Sequence, residues 1–231
     1  MICLCAIIES ADGVAGLELR GLDHRTMEYL SCGDIAAAFT RHTVAPTAIA
    51  ENIVQYEQAI ESLMAYAALL PVRFGTCFNS EERARDVLSN NRGCLAEGLE
   101  AVRGQVEMGV RILKPEATRR PSAISFDRGT DYMQAKLAER RKEEEGEHQH
   151  LRIAQEILSP SIQRWPNYVQ STVRNGIASF AFLIPRNDVE EFRSATRAAM
   201  TIHPDLRLLC TGPWPAYHFT PALSHSEACH A

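Results

Sequence analysis

Residues 69–82 read LLPVRFGTCFNSEE, and this stretch changes from strand chemistry to helix chemistry. Leu69–Phe74 is an apolar run that reads as a strand. Asn79 and Glu82 follow in capping-box register, an Asn variant of the usual Ser/Thr form, at the start of a helix. On such a strand Leu70, Val72 and Phe74 share one face, and Arg73 lies on the other with Pro71 and Gly75. An arginine inside an apolar run is costly unless it is paired or reaches water. A strut paired with a carboxylate such as Glu107 is the favoured reading. The alternative is a small-molecule enzyme that uses Arg73 to grip an anionic substrate.

Working outward, residues 48–67 carry Ile49, Ile53, Tyr56, Ile60, Leu63 and Ala67 at spacings of four and three, one face of an amphipathic helix. Downstream, Ala84, Leu88, Leu95, Leu99 and Val102 line the helix that begins near Asn79. VEMGVRIL (106–113) then alternates as a half-buried strand, with Glu107 opposite the Val/Met face. At the start of the chain, ICLCAII (2–8) reads as a doubly buried strand. Gly33-Asp34 divides YLSC from IAAAFT like a hairpin connection. Residues 114–128 hold two prolines, several charges and no periodicity, a linker signature.

Beyond it, a helical stretch runs from Thr130 to about Leu158 with an almost wholly charged middle, AERRKEEEGEHQH, and Gly146 as a candidate break. Arg140 and Glu144 stand at i,i+4. IASFAFLI (177–184) is a strand, Asn187 with Glu190 repeats the capping-box signal, and LRLLCTG (206–212) is the last strand. The expected fold is α+β in two domains. Residues 1–113 form a ferredoxin-like first domain, and 129–219 a smaller α+β unit with a long charged helical arm. A polar tail at 220–231 is expected to be disordered.

The 231 residues are 45% hydrophobic and 23% charged, with a net charge of −5. This composition is that of an ordinary globular chain and argues against a nucleic-acid partner, which usually meets a basic face. The opening MICLCAIIES lacks a basic n-region and meets Glu9 and Asp12 at once, so it reads as a strand and not as a secretory signal. No apolar run has the length of a membrane span. These features give the expectation of a cytoplasmic protein without a membrane partner. Seven scattered cysteines are then expected to be free thiols, with Cys3 and Cys5 as small core residues.

Phosphate-loop, dinucleotide, nucleophile-elbow and zincin motifs are all absent, and no cofactor or metal is expected. His148 and His150 point roughly 200° apart on a helix and read as surface residues. The segment TGPWPAYHF (211–219) is the second unusual stretch, with two prolines flanking Trp214 and with Tyr217 and Phe219 adding apolar area. It reads as an internal clamp, with an interface for a partner as the alternative.

Taken together, LLPVRFGTCFNSEE (69–82), VEMGVRI (106–112), GTDYM (129–133) and GPWPAYHF (212–219) resemble the gas vesicle protein F/L family. ENIVQYEQAIESL (51–63) is similar to the family's helix before LPVRFG, with Tyr56 where a histidine is usual. The resemblance implies an accessory protein of gas vesicles, the gas-filled shells that give aquatic microbes buoyancy. It implies help in assembly through contact with the hydrophobic major shell protein GvpA, contacts with other vesicle accessory proteins, and retention as a minor vesicle component. It brings no enzymatic activity. Arg73, Phe74, Glu107, Trp214, Tyr217 and Phe219 are then structural or interface residues, and none is catalytic.

Overall fold

The computed structural model describes residues 1–14, 16–113, 129–174 and 176–223. The expected linker at 114–128 and most of the expected disordered tail, 224–231, lie outside the described residues. The chain is α+β and divides into two compact units, Met1–Glu107 with Pro213–Ala231, and Met108–Gly212. Residues 213–219 therefore belong with the first unit, whereas the sequence reading grouped them with the second.

The first unit is built on a five-stranded sheet ordered β2-β3-β1-β4, with β5 also on β1. Its strands are β1 (Ile2–Ile8), β2 (Glu28–Cys32), β3 (Ile35–Arg41), β4 (Leu69–Pro71) and β5 (Cys77–Phe78). β1 is central because all seven of its residues are buried, as its unbroken apolar run requires. β2 and β3 form the expected hairpin: Cys32 faces Ile35, and Gly33 takes φ +66° in the two-residue turn.

Helix α1 (Ala50–Met64) buries Tyr56, Ala59, Ile60 and Leu63, the inward face of its 3.6-residue period. These side chains join Ala6, Ile8, Ala36, Ala38 and Leu69 in one core cluster. The alternate strand residues, such as Ile7, Ala37 and Leu70, face the other way, where α2 (Glu81–Val102) packs. The helix cap is Ser80, which accepts a hydrogen bond from Arg83 N at 3.3 Å. The helix thus begins one residue later than the expected Asn79 cap, because a hydroxyl satisfies the N3 amide.

Two strand residues depart from the sequence reading. Cys3 and Cys77 oppose each other across β1 and β5 and are joined in a disulfide, so these two are not free thiols. Antiparallel register places their Cα atoms 4.1 Å apart, and spacing along the chain, 74 residues, carries no hint of it. Cys5 is free and buried, as expected of a core cysteine. Loss of hydration pushes its thiol up to about 12.

The second sheet is ordered β7-β8-β6-β9, and its elements follow one another as β6 (Gln105–Leu113), α3 (Gly129–Arg164), β7 (Tyr168–Arg174), β8 (Ile177–Pro185), α4 (Val189–Ile202) and β9 (Arg207–Trp214). The β-α-β-β-α-β order expected of the first unit is therefore found here. The first unit instead places three strands before its first α-helix. Its strands call for no helix between them because the Gly33-Asp34 turn lets β2 and β3 pair directly.

The charged arm is one unbroken helix through Gly146, carrying Pro160 near its end. Arg140 Nε donates to Glu144 at 3.1 Å as the spacing predicted. His150 departs from its surface reading: it is buried, and its Nε2 lies 3.1 Å from the Ile112 carbonyl, while His148 is exposed. Asp188 caps α4 in position but not by a side-chain bond. Its Oδ2 accepts from Trp165 Nε1 at 2.9 Å instead.

Candidate interaction site

Between β4 and β5 the chain leaves the ladder of β1 and returns to it. Val72 N donates to Cys5 O at 3.0 Å, and Leu4 N donates to Thr76 O at 2.9 Å. The residues between them, Arg73, Phe74 and Gly75, loop away from β1. Thr76 closes the loop, its N–H and hydroxyl both donating to Arg73 O at 3.1 and 2.8 Å. Gly75 takes φ +85°, a conformation that favours glycine. LPVRFG is therefore a strand with an excursion.

That excursion settles where Arg73 lies. The residue is exposed, and among the described residues its guanidinium makes no ion pair. The expected bond to Glu107 is not formed. Arg73 is off the strand, so the strand alternation that placed it on the face opposite Leu70, Val72 and Phe74 does not apply. Phe74 turns inward, its ring edge-on to Tyr56 with centroids 5.2 Å apart. The Tyr56 hydroxyl lies at the carbonyls of Leu4, Cys5 and Val72, filling the gap that the excursion opens in the ladder. Sequence reasoning treated Tyr56 as a core position only. Its spacing on α1 places it inward, but nothing local shows that three carbonyls converge there.

Glu107 finds another partner. Its side chain is 6% exposed and accepts both the backbone N–H of His218 and a bond at His218 Nδ1, each at 2.8 Å. One carboxylate thus grips the terminal segment by main chain and ring together. A turn from Pro215 to Phe219 presents the segment. Tyr217 N donates to Pro215 O at 2.8 Å, and Phe219 N to Ala216 O at 3.1 Å. Tyr217 is half-buried against the α1 core cluster, and its hydroxyl donates to Glu57 Oε2 at 2.8 Å. Burial, then the bond to the Glu57 carboxylate, pushes the phenol well above its ordinary range, so it stays a donor.

Farther on, Pro221 Cδ lies 3.0 Å from where a Cβ at Gly98 of α2 would be, with Leu70 Cδ1 at 3.1 Å. The segment therefore runs from the α1 side of the sheet to the α2 side, past the edge strand β4. Covering an open edge is a common protection against strand pairing with other chains. Phe219 is half-buried, and Trp214 remains 38% exposed.

Comparison with known proteins places this architecture. A family model described as gas vesicle synthesis protein GvpL/GvpF matches residues 3–221. The chain belongs to the GvpL/GvpF family. Gas vesicle protein F1 of Halobacterium salinarum is 23% identical over 212 residues, covering 90% of this chain and 84% of the relative. Gas vesicle protein L of a Streptomyces species is 24% identical over 232 residues, with 91% and 86% covered. The crystal structure of GvpF from an Anabaena species superposes with a TM-score of 0.78 at 18% identity, over 99% of both chains. GvpF from Microcystis aeruginosa gives 0.76 at 16%, over 96% of this chain and 99% of that one.

Membership in the GvpL/GvpF family gives the chain a role in gas vesicle formation. No helix among the described residues is long and apolar enough to cross a membrane.

Proposed function

We propose that this GvpL/GvpF protein assists vesicle assembly by binding the hydrophobic major shell protein GvpA, together with other vesicle accessory proteins, and that it stays with the vesicle as a minor component. The match to the family over residues 3–221 carries this reading. A small hydrophobic shell subunit needs its apolar faces covered until it joins the shell, and a larger partner with exposed apolar surface can do this. In this reading the protein works in the cytoplasm and on the vesicle. Its two compact units serve as two domains, the second of them ferredoxin-like in its element order. Arg73, Phe74, Glu107, Trp214, Tyr217 and Phe219 hold the first domain together or border its interface, with none in a catalytic role.

The test is capture of purified GvpA by the full chain immobilised through its C-terminal end, with bovine serum albumin as the control. Retention of GvpA above the control supports the proposal. Equal retention of both, or of neither, sinks it.

A further inference from the structure

Several exposed apolar side chains of the first unit gather at one place in the sequence: Val44 at 75%, Ile49 at 50%, Ile53 at 41% and Val54 at 53% exposure. From Thr43 to Gln55 the only charged residue is Glu51. Isolated exposed apolar residues need no explanation, but four of them within eleven residues of one another in the chain do. The group is held in place. Asn52 Nδ2 donates to Thr47 O at 2.9 Å, Ile49 N donates to the same carbonyl at 2.8 Å, and Ile53 N donates to Ile49 O at 3.1 Å. An ordered apolar surface loses little conformational freedom when a partner covers it.

Position on the helix shows how this surface is used. Ile49, Ile53 and Glu57 are four apart and share one flank of α1. At Glu57 that flank is already occupied, because Tyr217 bonds to its carboxylate and packs beside it. One turn earlier Ile53 remains 41% exposed. The flank is thus closed in its second half by the terminal segment and open in its first half.

Charge selects the occupant. α1 carries Glu51, Glu57 and Glu61 and no lysine or arginine. Residues 1–107 contain fifteen acidic residues, eight arginines and no lysine. A second copy of this chain meeting the same face would set like charges against one another. An anionic membrane surface would be repelled likewise. An apolar stripe flanked by positive charge is both attracted and covered.

We infer that the first turns of α1 with residues 44–49 form a docking surface for an amphipathic, cationic helix of another vesicle protein, seated on Ile53 and Val54 beside the terminal segment. This rests on the partner-binding reading above and specifies the chemistry of that partner. The mode is a helix laid apolar face down on a hydrophobic surface, with basic residues reaching Glu51 and Glu61.

The test uses the full chain and two labelled synthetic helices with the same leucine stripe, one flanked by lysine and one by glutamate, read by fluorescence anisotropy. The expected result is that the lysine helix binds and the glutamate helix binds at least tenfold more weakly, with added salt narrowing the gap. The double variant Ile53→Asp/Val54→Asp loses at least tenfold in affinity for the lysine helix. The control Leu209→Asp, at an exposed apolar position of the second unit, leaves it unchanged, and circular dichroism and thermal unfolding verify that both variants fold. Equal binding of the two helices, unchanged binding by the double variant, or sedimentation showing that the patch instead joins two copies of this chain would overturn the inference. Repeating the GvpA capture with Ile53→Asp/Val54→Asp separates the two proposals. Capture that survives the double variant removes this surface as the dock and leaves the broader reading standing. Loss of GvpA capture already in the unsubstituted chain removes the broader reading.

Discussion

At the scale of single residues, His42 shows how a side chain can be tied to the fold by protonation state. It stands just after β3 with its side chain buried. Nε2 lies 2.8 Å from Thr40 Oγ1, and Nδ1 lies 3.3 Å from Asp23 Oδ2. Burial holds its pKa below the ordinary 6.5, and the Arg25 charge adds to this while Asp23 opposes it. A proton therefore binds the unfolded chain more readily than the folded one. Stability is full above the unfolded value and falls as pH drops through it toward the lowered folded value. Urea unfolding at about pH 7.5 and at about pH 5.5 should show a lower midpoint in acid. In His42→Gln the part of that drop due to this group should vanish, and an unchanged drop would refute the assignment. Arg73 teaches the complementary lesson. Its type and neighbours announced a buried ion pair, and a three-residue excursion set it in solvent instead.

At the scale of elements, the terminal segment depends on one buried carboxylate. Glu107 meets both His218 N and His218 Nδ1, so Glu107→Ala removes two bonds at once. The loss should cost about 1–3 kcal/mol of stability, the usual penalty for leaving buried polar groups unpaired. Amide hydrogen exchange at residues 217–220 should quicken more than at β1, since the segment opens before the sheet does. Uniform quickening of both would mean that Glu107 supports the sheet generally and does not anchor the segment. The proline-flanked Trp214 and the following aromatics read as a clamp onto their own domain, which the sequence reading took to be the second. Tyr217 packs instead on the core of the first unit. Sequence patterns could not name the segment's anchor, since Glu107 and His218 are 111 residues apart. β7 was missed altogether. Its YVQSTVR run is short, polar and half-hidden behind the helical pattern before it.

At the scale of the whole molecule, the disulfide between Cys3 and Cys77 joins the two ends of a long loop that includes β2, β3, α1 and β4. Closing a loop of this length stabilises by about 2–5 kcal/mol, chiefly by limiting the unfolded chain. Protein alkylated at lysis and digested without reductant should yield the Cys3–Cys77 peptide pair by mass spectrometry. Dithiothreitol should then lower the thermal midpoint, with no further change in Cys3→Ser/Cys77→Ser. Recovery of both cysteines as alkylated thiols would show that the protein holds them reduced.

Periodicity and turn chemistry, which are local, determined much of this protein. The 3.6-residue spacing from Ile49 to Leu63 made α1, alternation in VEMGVRIL made β6, and Gly33-Asp34 made the β2–β3 hairpin. The order of LPVRFG, VEMGVRI and GPWPAYHF already pointed to the family that the comparison found. Other features are decided only when distant segments meet. Tertiary structure alone lifts Arg73–Gly75 off β1, pairs Cys3 with Cys77 and buries His150. It also folds Glu107 under His218 and assigns the β-α-β-β-α-β order to the second unit. The disulfide and the His150 and Glu107–His218 contacts join residues far apart in the chain, and their free energy depends on a geometry that no local pattern encodes.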